Sequence, residues 1–220
     1  MATRKIFAFF LLLWLLPAIV ACASQPPGIT AQRILITLSQ EVYRNQNLPF
    51  NTFEGPGPMD SYLVMNVRYA PVAEVFSQIT PAVYPTLISR GEAHITVITP
   101  PEYSQSLKSK LSMKEINQIA RDMEIQNARF DILAIGSGKI ASSPRPLETL
   151  FLIVRSGDLL QLRREIHKAF VAKGGDPKAF GPEHFYPHIT IGYTKRDLHE
   201  SDGVIKDIEH SLDPRFSLVQ

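Results

Sequence analysis

The sequence predicts an α+β domain, with helices and strands mixed rather than in strict βαβ alternation. Three observations carry this. Helical patterns with start and stop signals occur at 112–123 and 157–173, and short β-branched runs bounded by Pro and Gly lie around them. With 45% hydrophobic and 20% charged residues in 220, the chain has the composition of a packed globular domain. The same figures exclude disordered, collagen-like and low-complexity classes.

Taken in order, Ile34, Leu35, Leu38 and Val42 recur at helical spacing, which predicts a helix over 31–44. Asn45 to Ser61 holds Pro49, Gly55, Pro56, Gly57 and Pro58 and reads as a long irregular connection. Tyr62 to Tyr69 is apolar without a helical period, a strand. Pro71 suits the first turn of a helix carrying Val72, Val75, Phe76 and Ile79, which should break near Pro81 and Pro85, with Gly91 as a stop. Ala93 to Thr99 is strand-like. Ser112-Met113-Lys114-Glu115 is a capping box ahead of Ile116, Ile119, Ala120 and Met123. Two strands follow, Arg129 to Ser142 and Leu147 to Arg155. A helix from Gly157 to Lys173 presents Leu159, Leu160, Leu162, Ile166 and Phe170 on one face and ends at Gly174-Gly175, and His188 to Thr194 is the last clear strand.

The N-terminus reads as an address. Arg4 and Lys5 precede an apolar run from Ile6 to Leu16, and small residues follow, the pattern of a secretory signal. Pro17 interrupts the run before it reaches the roughly 20 residues a membrane span needs. Residues 1–21 are expected to be a signal peptide, 22–30 a flexible tether and 31–220 one domain. Ile19-Val20-Ala21-Cys22 resembles the bacterial lipobox, which makes Cys22 a lipidation site and places the domain at the bacterial envelope, facing the periplasm. Ala21-Cys22-Ala23 also fits a soluble cut before Ser24, leaving a soluble periplasmic or secreted protein. Cys22 is the only Cys, so no disulfide braces the domain.

Charge narrows the partners. The 23 basic and 21 acidic residues include Arg4 and Lys5, and without the leader 21 stand against 21. A neutral body is a poor binder of duplex nucleic acid, which needs a positive surface. A small nucleotide or oligonucleotide is the expected partner, for a monomer.

The informative feature is a pair of strands, Ala93-His94-Ile95-Thr96-Val97 and Pro187-His188-Ile189-Thr190-Ile191. Alternate side chains share a strand face, so His94 goes with Thr96 and His188 with Thr190, while the Ile and Val residues face a core. One His-x-Thr arises readily by chance, but two with matching apolar flanks do not. Two imidazoles titrating near neutrality suit a general base and a general acid on opposite sides of a phosphorus. The Thr hydroxyls can donate to the non-bridging oxygens as charge develops. A 2′,3′-cyclic phosphate, or a phosphodiester beside a 2′-hydroxyl, needs in-line attack and leaving-group protonation, and no metal or other cofactor.

His94-Ile95-Thr96-Val97 and His188-Ile189-Thr190-Ile191 together resemble the signature of the two-histidine (2H) phosphoesterases, with their LigT-like and cyclic phosphodiesterase branches. Phe185 to Tyr193 looks like the second motif of that superfamily, and Thr194-Lys195-Arg196-Asp197-Leu198-His199 is similar to its Swiss Army Knife branch. The resemblance implies a bilobal fold with two pseudo-symmetric sheets flanking a central cleft, each giving one motif strand. It further implies catalytic roles for His94 and His188, phosphate binding by Thr96 and Thr190, and no metal. Which His is base and which is acid stays open. A second reading keeps the cleft in an exported lipoprotein that binds a nucleotide without turning it over.

Other candidates carry less. Tyr186 shares strand parity with His188 and is a candidate for stacking on substrate, and Lys195, Arg196 and His199 are candidates for phosphate contacts at the cleft mouth. Ile135-Gly136-Ser137-Gly138-Lys139 lacks the flanking Gly and Ser or Thr of a phosphate loop, since Leu133 and Ile140 sit there. His184 and His188 have metal-helix spacing, but Pro187 between them breaks a helix.

Overall fold

The computed structural model describes residues 32–83, 86–141 and 146–220. The expected signal peptide, Cys22 and the tether lie outside the described residues. The chain runs β1 (Ile34–Thr37), β2 (Leu63–Asn66), α1 (Tyr69–Val83), β3 (His94–Ile98), α2 (Pro100–Gln105), α3 (Met113–Asp122), β4 (Asp131–Ile140), β5 (Leu147–Arg155), α4 (Gly157–Ala172), β6 (His188–Tyr193), α5 (Ile208–Ser211) and β7 (Phe216–Val219). Three small sheets result: β2 with β3 antiparallel, β4-β5-β6 antiparallel, and β1 parallel to β7. The fold is thus mixed α+β, and the two sheets that carry the His-x-Thr motifs have two and three strands. Among the described residues no helix is long and apolar enough to cross a membrane.

The helices follow their signals. Ser112 caps α3 while Glu115 reaches back to the Ser112 amide at 3.0 Å, completing the capping box. Ser156 caps α4 through the Leu159 amide, and α4 buries Leu159, Leu162, Ile166 and Phe170. A second capping box, Thr99 with Glu102, starts α2, a helix the sequence reading left out. The helix α1 runs through Pro81 to Val83 rather than stopping at the proline.

The expected helix over 31–44 is not formed. Ile34–Thr37 is a strand paired with Phe216–Val219, and a 3₁₀ turn follows at Gln40–Tyr43. Ile36 is fully buried and Leu35 is 70% exposed, the alternation of a strand. A partner at the far end of the sequence overrides the local period, because backbone pairing with β7 satisfies the amides and carbonyls that a helix would have satisfied locally.

One main core holds Ile95, Val97, Ile189 and Ile191 together with α1, α3 and α4. The other face of the three-stranded sheet carries a smaller cluster of Phe151, Ile153, Leu198 and Val204. Arg163 of α4 is 1% exposed and ties the two motif regions together. It donates to the Val97 carbonyl of β3 at 2.7 Å, to the Glu102 carboxylate at 2.7 and 3.2 Å, and to the carbonyls of Gly181, Pro182 and His184 at 2.8–3.1 Å. The Phe180 and Phe185 rings each lie 4.8 Å from its guanidinium carbon. A buried cation is tolerated because every donor is spent.

Candidate active site

Both motif strands alternate as strands must. Ile95, Val97, Ile189 and Ile191 are at most 1% exposed in the shared core, so His94 and Thr96, and His188 and Thr190, occupy the opposite faces. The strands β3 and β6 lie beside each other. The segment before β3 helps to hold them: Ile88 and Tyr193 exchange backbone hydrogen bonds of 2.8 and 3.0 Å. This approach needs Gly192, where a Cβ would sit 2.8 Å from the Ile88 carbonyl oxygen. Gly91, at φ +75°, then turns the chain in a conformation that favours glycine, and Arg90 and Glu92 flank it beside the loop after β6.

A continuous polar chain joins the two histidines. His94 Nδ1 meets Glu92 Oε2 at 2.8 Å, and Arg90 donates through Nε to Glu92 at 2.9 Å and through NH1 to Asp197 at 3.3 Å. Asp197 accepts from Lys206 Nζ at 3.0 Å and from the Thr190 hydroxyl at 3.0 Å. Lys206 Nζ lies 3.1 Å from His188 Nε2, and His188 Nδ1 lies 2.8 Å from the Tyr186 carbonyl oxygen. The carbonyl can only accept, so Nδ1 carries the hydrogen and Nε2 presents its lone pair to the ammonium. Phe151 packs edge-on against the His188 ring at 5.7 Å, with Lys206 Nζ 5.3 Å from the Phe151 ring centroid.

The hydroxyls differ. Thr190 is 6% exposed and its hydroxyl is given to Asp197. The half-buried Thr96 hydroxyl makes no hydrogen bond to any described residue.

The electrostatics match this geometry. Burial, and then the Lys206 ammonium, push the His188 pKa well below the usual imidazole value, and the charge of His94 acts in the same direction. Burial alone would raise Asp197, but Lys206 and His188 outweigh it and hold the carboxyl down at about 2. Burial likewise opposes ionisation of Glu92, and the hydrogen bond and charge of His94 with Arg90 bring it below the ordinary carboxylate value. Burial lowers Lys206 against the pull of Asp197. One histidine is therefore held neutral as an acceptor, while the other rests with Nδ1 against an ionised carboxylate.

The remaining candidates are dispersed. The Tyr186 ring packs edge-on against His184 at 5.0 Å, and His184 pairs with Glu200 at 2.7 Å. Arg196 is engaged by both oxygens of Asp202 at 2.6 and 2.8 Å, and Lys195 is exposed. His199 is within the field of Asp197 and Lys206, with its pKa lowered chiefly by burial. The glycine-rich run 135–139 is part of β4.

Arg90, Glu92, Asp197 and Lys206 escaped the sequence reading. Glu92 was accessible, because it is two residues before His94 and has the same strand parity. Asp197 lies within the run read as a family likeness, but its bond to Thr190 has no local signature. Lys206 follows Val204-Ile205 in an apolar stretch and reaches the site only through the tertiary fold.

A family model described as "Swiss Army Knife, 2H phosphoesterase domain" matches residues 61–199. The match takes in both His-x-Thr strands and Asp197 and ends before Lys206. No curated protein and no solved structure matches the chain.

Proposed function

Because this chain belongs to the Swiss Army Knife family of 2H phosphoesterases, and so is a phosphodiester hydrolase, we propose that it cleaves a cyclic or 2′-linked phosphodiester of a nucleotide or short RNA, with His188 as general base and His94 as general acid. The observation that carries the reading is the polar chain between the rings, which ends on a carboxylate at His94 and on an ammonium at His188. His188 gives its Nδ1 hydrogen to a carbonyl and keeps Nε2 as an acceptor. His94 rests on the Glu92 carboxylate, which stabilises the doubly protonated ring that donates to a leaving oxygen.

In the reaction, His188 Nε2 takes a proton from the attacking water as its oxygen bonds to phosphorus. The P–O bond to the leaving 2′- or 3′-oxygen breaks, and His94 delivers its proton there. Thr96, with an uncommitted hydroxyl, donates to a non-bridging oxygen. Thr190 gives its hydroxyl to Asp197 and steadies that carboxylate rather than donating to the phosphate. The neutral charge of the chain without its leader favours a small ligand over a long polyanion. A sheet under each motif strand supports a cleft between two lobes. Export and anchoring through Cys22 complete the reading, tested by a diacylglyceryl mass adduct that Cys22→Ser removes.

The test is incubation of residues 22–220 with 2′,3′-cyclic mononucleotides in EDTA. Turnover is expected, falling about 10²- to 10⁴-fold in both His94→Ala and His188→Ala. Binding without product in the wild type overturns the reading in favour of a nucleotide-binding lipoprotein.

A further inference from the structure

Two imidazoles and one free hydroxyl leave the second motif without a donor for the phosphate, since Thr190 is committed to Asp197. We propose that Lys206 fills this place: its ammonium caps His188 Nε2 and, when a phosphodiester enters, moves onto a non-bridging phosphate oxygen, uncovering Nε2 to take the proton of the nucleophile. The inference rests on the phosphodiesterase reading above and adds a fourth side chain to His94, His188 and Thr96. Lys206 lies beyond the matched 61–199 segment, so the family pattern assigns it nothing.

The hydrogen inventory supports the exchange. An ammonium has three N–H donors. One goes to Asp197 Oδ1 at 3.0 Å, one goes to His188 Nε2 at 3.1 Å, and Nζ also lies above the Phe151 ring. The pair with Asp197 alone would account for a purely structural lysine. The second donor instead occupies the one lone pair that a neutral imidazole needs for base catalysis. Nothing else on His188 can accept the nucleophile's proton, because Nδ1 is spent on the Tyr186 carbonyl.

Charge gives the direction. Lys206 is 4% exposed, and a desolvated ammonium gains more from an anionic oxygen than from a neutral nitrogen. An entering phosphodiester therefore outcompetes the imidazole for that N–H. Asp197 keeps its bond to Nζ throughout and acts as the pivot, with Thr190 and Arg90 steadying the carboxylate. Two neighbouring cations are already engaged, Arg90 with Glu92 and Asp197, and Arg196 with Asp202. No proton leaves Lys206: its N–H···N bond becomes N–H···O, and the proton that reaches His188 comes from the nucleophile. The base is thus exposed only when the phosphate is in place.

The test combines kinetics with a readout that needs no turnover. Lys206→Met should lower kcat/KM on 2′,3′-cyclic mononucleotides about 10²- to 10³-fold, the cost of one oxyanion donor, with Lys206→Arg restoring part of it. The acid limb of Lys206→Met should move to higher pH, because one cation facing His188 is removed while Asp197, His94 and the Tyr186 carbonyl remain. In wild type with ¹⁵N-labelled histidine, titration with inorganic phosphate should shift the His188 Nε2 resonance from its ammonium-bonded position. Lys206→Met should bind phosphate at least tenfold more weakly. Wild-type kcat/KM in folded Lys206→Met, or an Nε2 resonance that phosphate binding leaves unmoved, overturns the proposal. If wild type turns over no cyclic nucleotide, the phosphodiesterase reading fails, and the wild-type phosphate titration still decides Lys206. The same titration decides it if Lys206→Met does not fold.

Discussion

The first His-x-Thr motif sits on a two-stranded sheet, the second on a three-stranded one, and their surroundings differ more than their letters do. His94 turns Nδ1 to a carboxylate, and the Thr96 hydroxyl is uncommitted. His188 turns Nδ1 to a carbonyl, has an ammonium against Nε2, and stands beside a Thr190 hydroxyl given to Asp197. The same residue at the same place in its motif meets a carboxylate in one sheet and an ammonium in the other, which is the contrast on which the proposed acid and base roles rest. The motif supplies an imidazole on a rigid strand, and the neighbours decide what the imidazole does.

The comparison needs the two motifs braced against each other, and Arg163 is the brace. It binds the Val97 carbonyl next to the first motif and three carbonyls in the segment leading to the second. Arg163→Met keeps a long apolar stem but deprives Glu102 of a buried partner. A stability loss of about 3–5 kcal/mol in urea unfolding is expected, with turnover lost in step. An unfolding midpoint equal to wild type would detach this residue from the site.

The hydroxyls sharpen the comparison next. Thr96→Val removes a free donor and should cost about 10²- to 10³-fold in kcat, with stability changed by less than about 0.5 kcal/mol. Thr190→Val removes one donor from a buried carboxylate and should cost about 1–3 kcal/mol of stability. Its kcat should fall less than that of Thr96→Val. Equal kinetic losses with equal stability would show that the two motifs work symmetrically.

Much of this asymmetry was hidden in the sequence. The strands and their facing follow from alternation around His94 and His188, the family likeness from the resemblance of the paired motifs, and the helices α3 and α4 from Ser112, Glu115 and the apolar stripe Leu159, Leu162, Ile166 and Phe170. Those signals are local. The strand β1 leaves no local signal because its partner β7 lies at the other end of the chain. Lys206 gave no local signal, and Arg163 sat unmarked within a correctly read helix. The reason is physical: burial and a partner far away in sequence create the function of a charged side chain, whereas periodicity records only which face an apolar residue takes.

Between pH 7 and about 5.5, above the carboxylate range, the acid side of the stability profile tests the second motif. His188 is pushed down from 6.5 to about 3, first by burial and then by Lys206. As pH falls through 6.5 the unfolded chain takes up a proton at this residue while the folded chain does not. The unfolded state then binds more protons, and stability must decline as pH drops, by at most about 1.4 kcal/mol per pH unit for one proton. Asp197 contributes in a lower window, because its folded carboxyl stays ionised from 3.8 down to about 2 while the unfolded one protonates. His199 is lowered too and acts in the upper window with the same sign. Urea unfolding at pH 7, 5.5 and 4.5 should therefore show stability falling in wild type. Between pH 7 and 5.5 the fall should be shallower in His188→Gln and smaller still once His199→Gln is added, while below pH 5.5 the lowered carboxylates of Glu92 and Glu115 keep a fall of the same sign. A His188→Gln slope equal to wild type would mean that the buried imidazole is charged in the fold, which would remove the acceptor on which the contrast between the motifs depends.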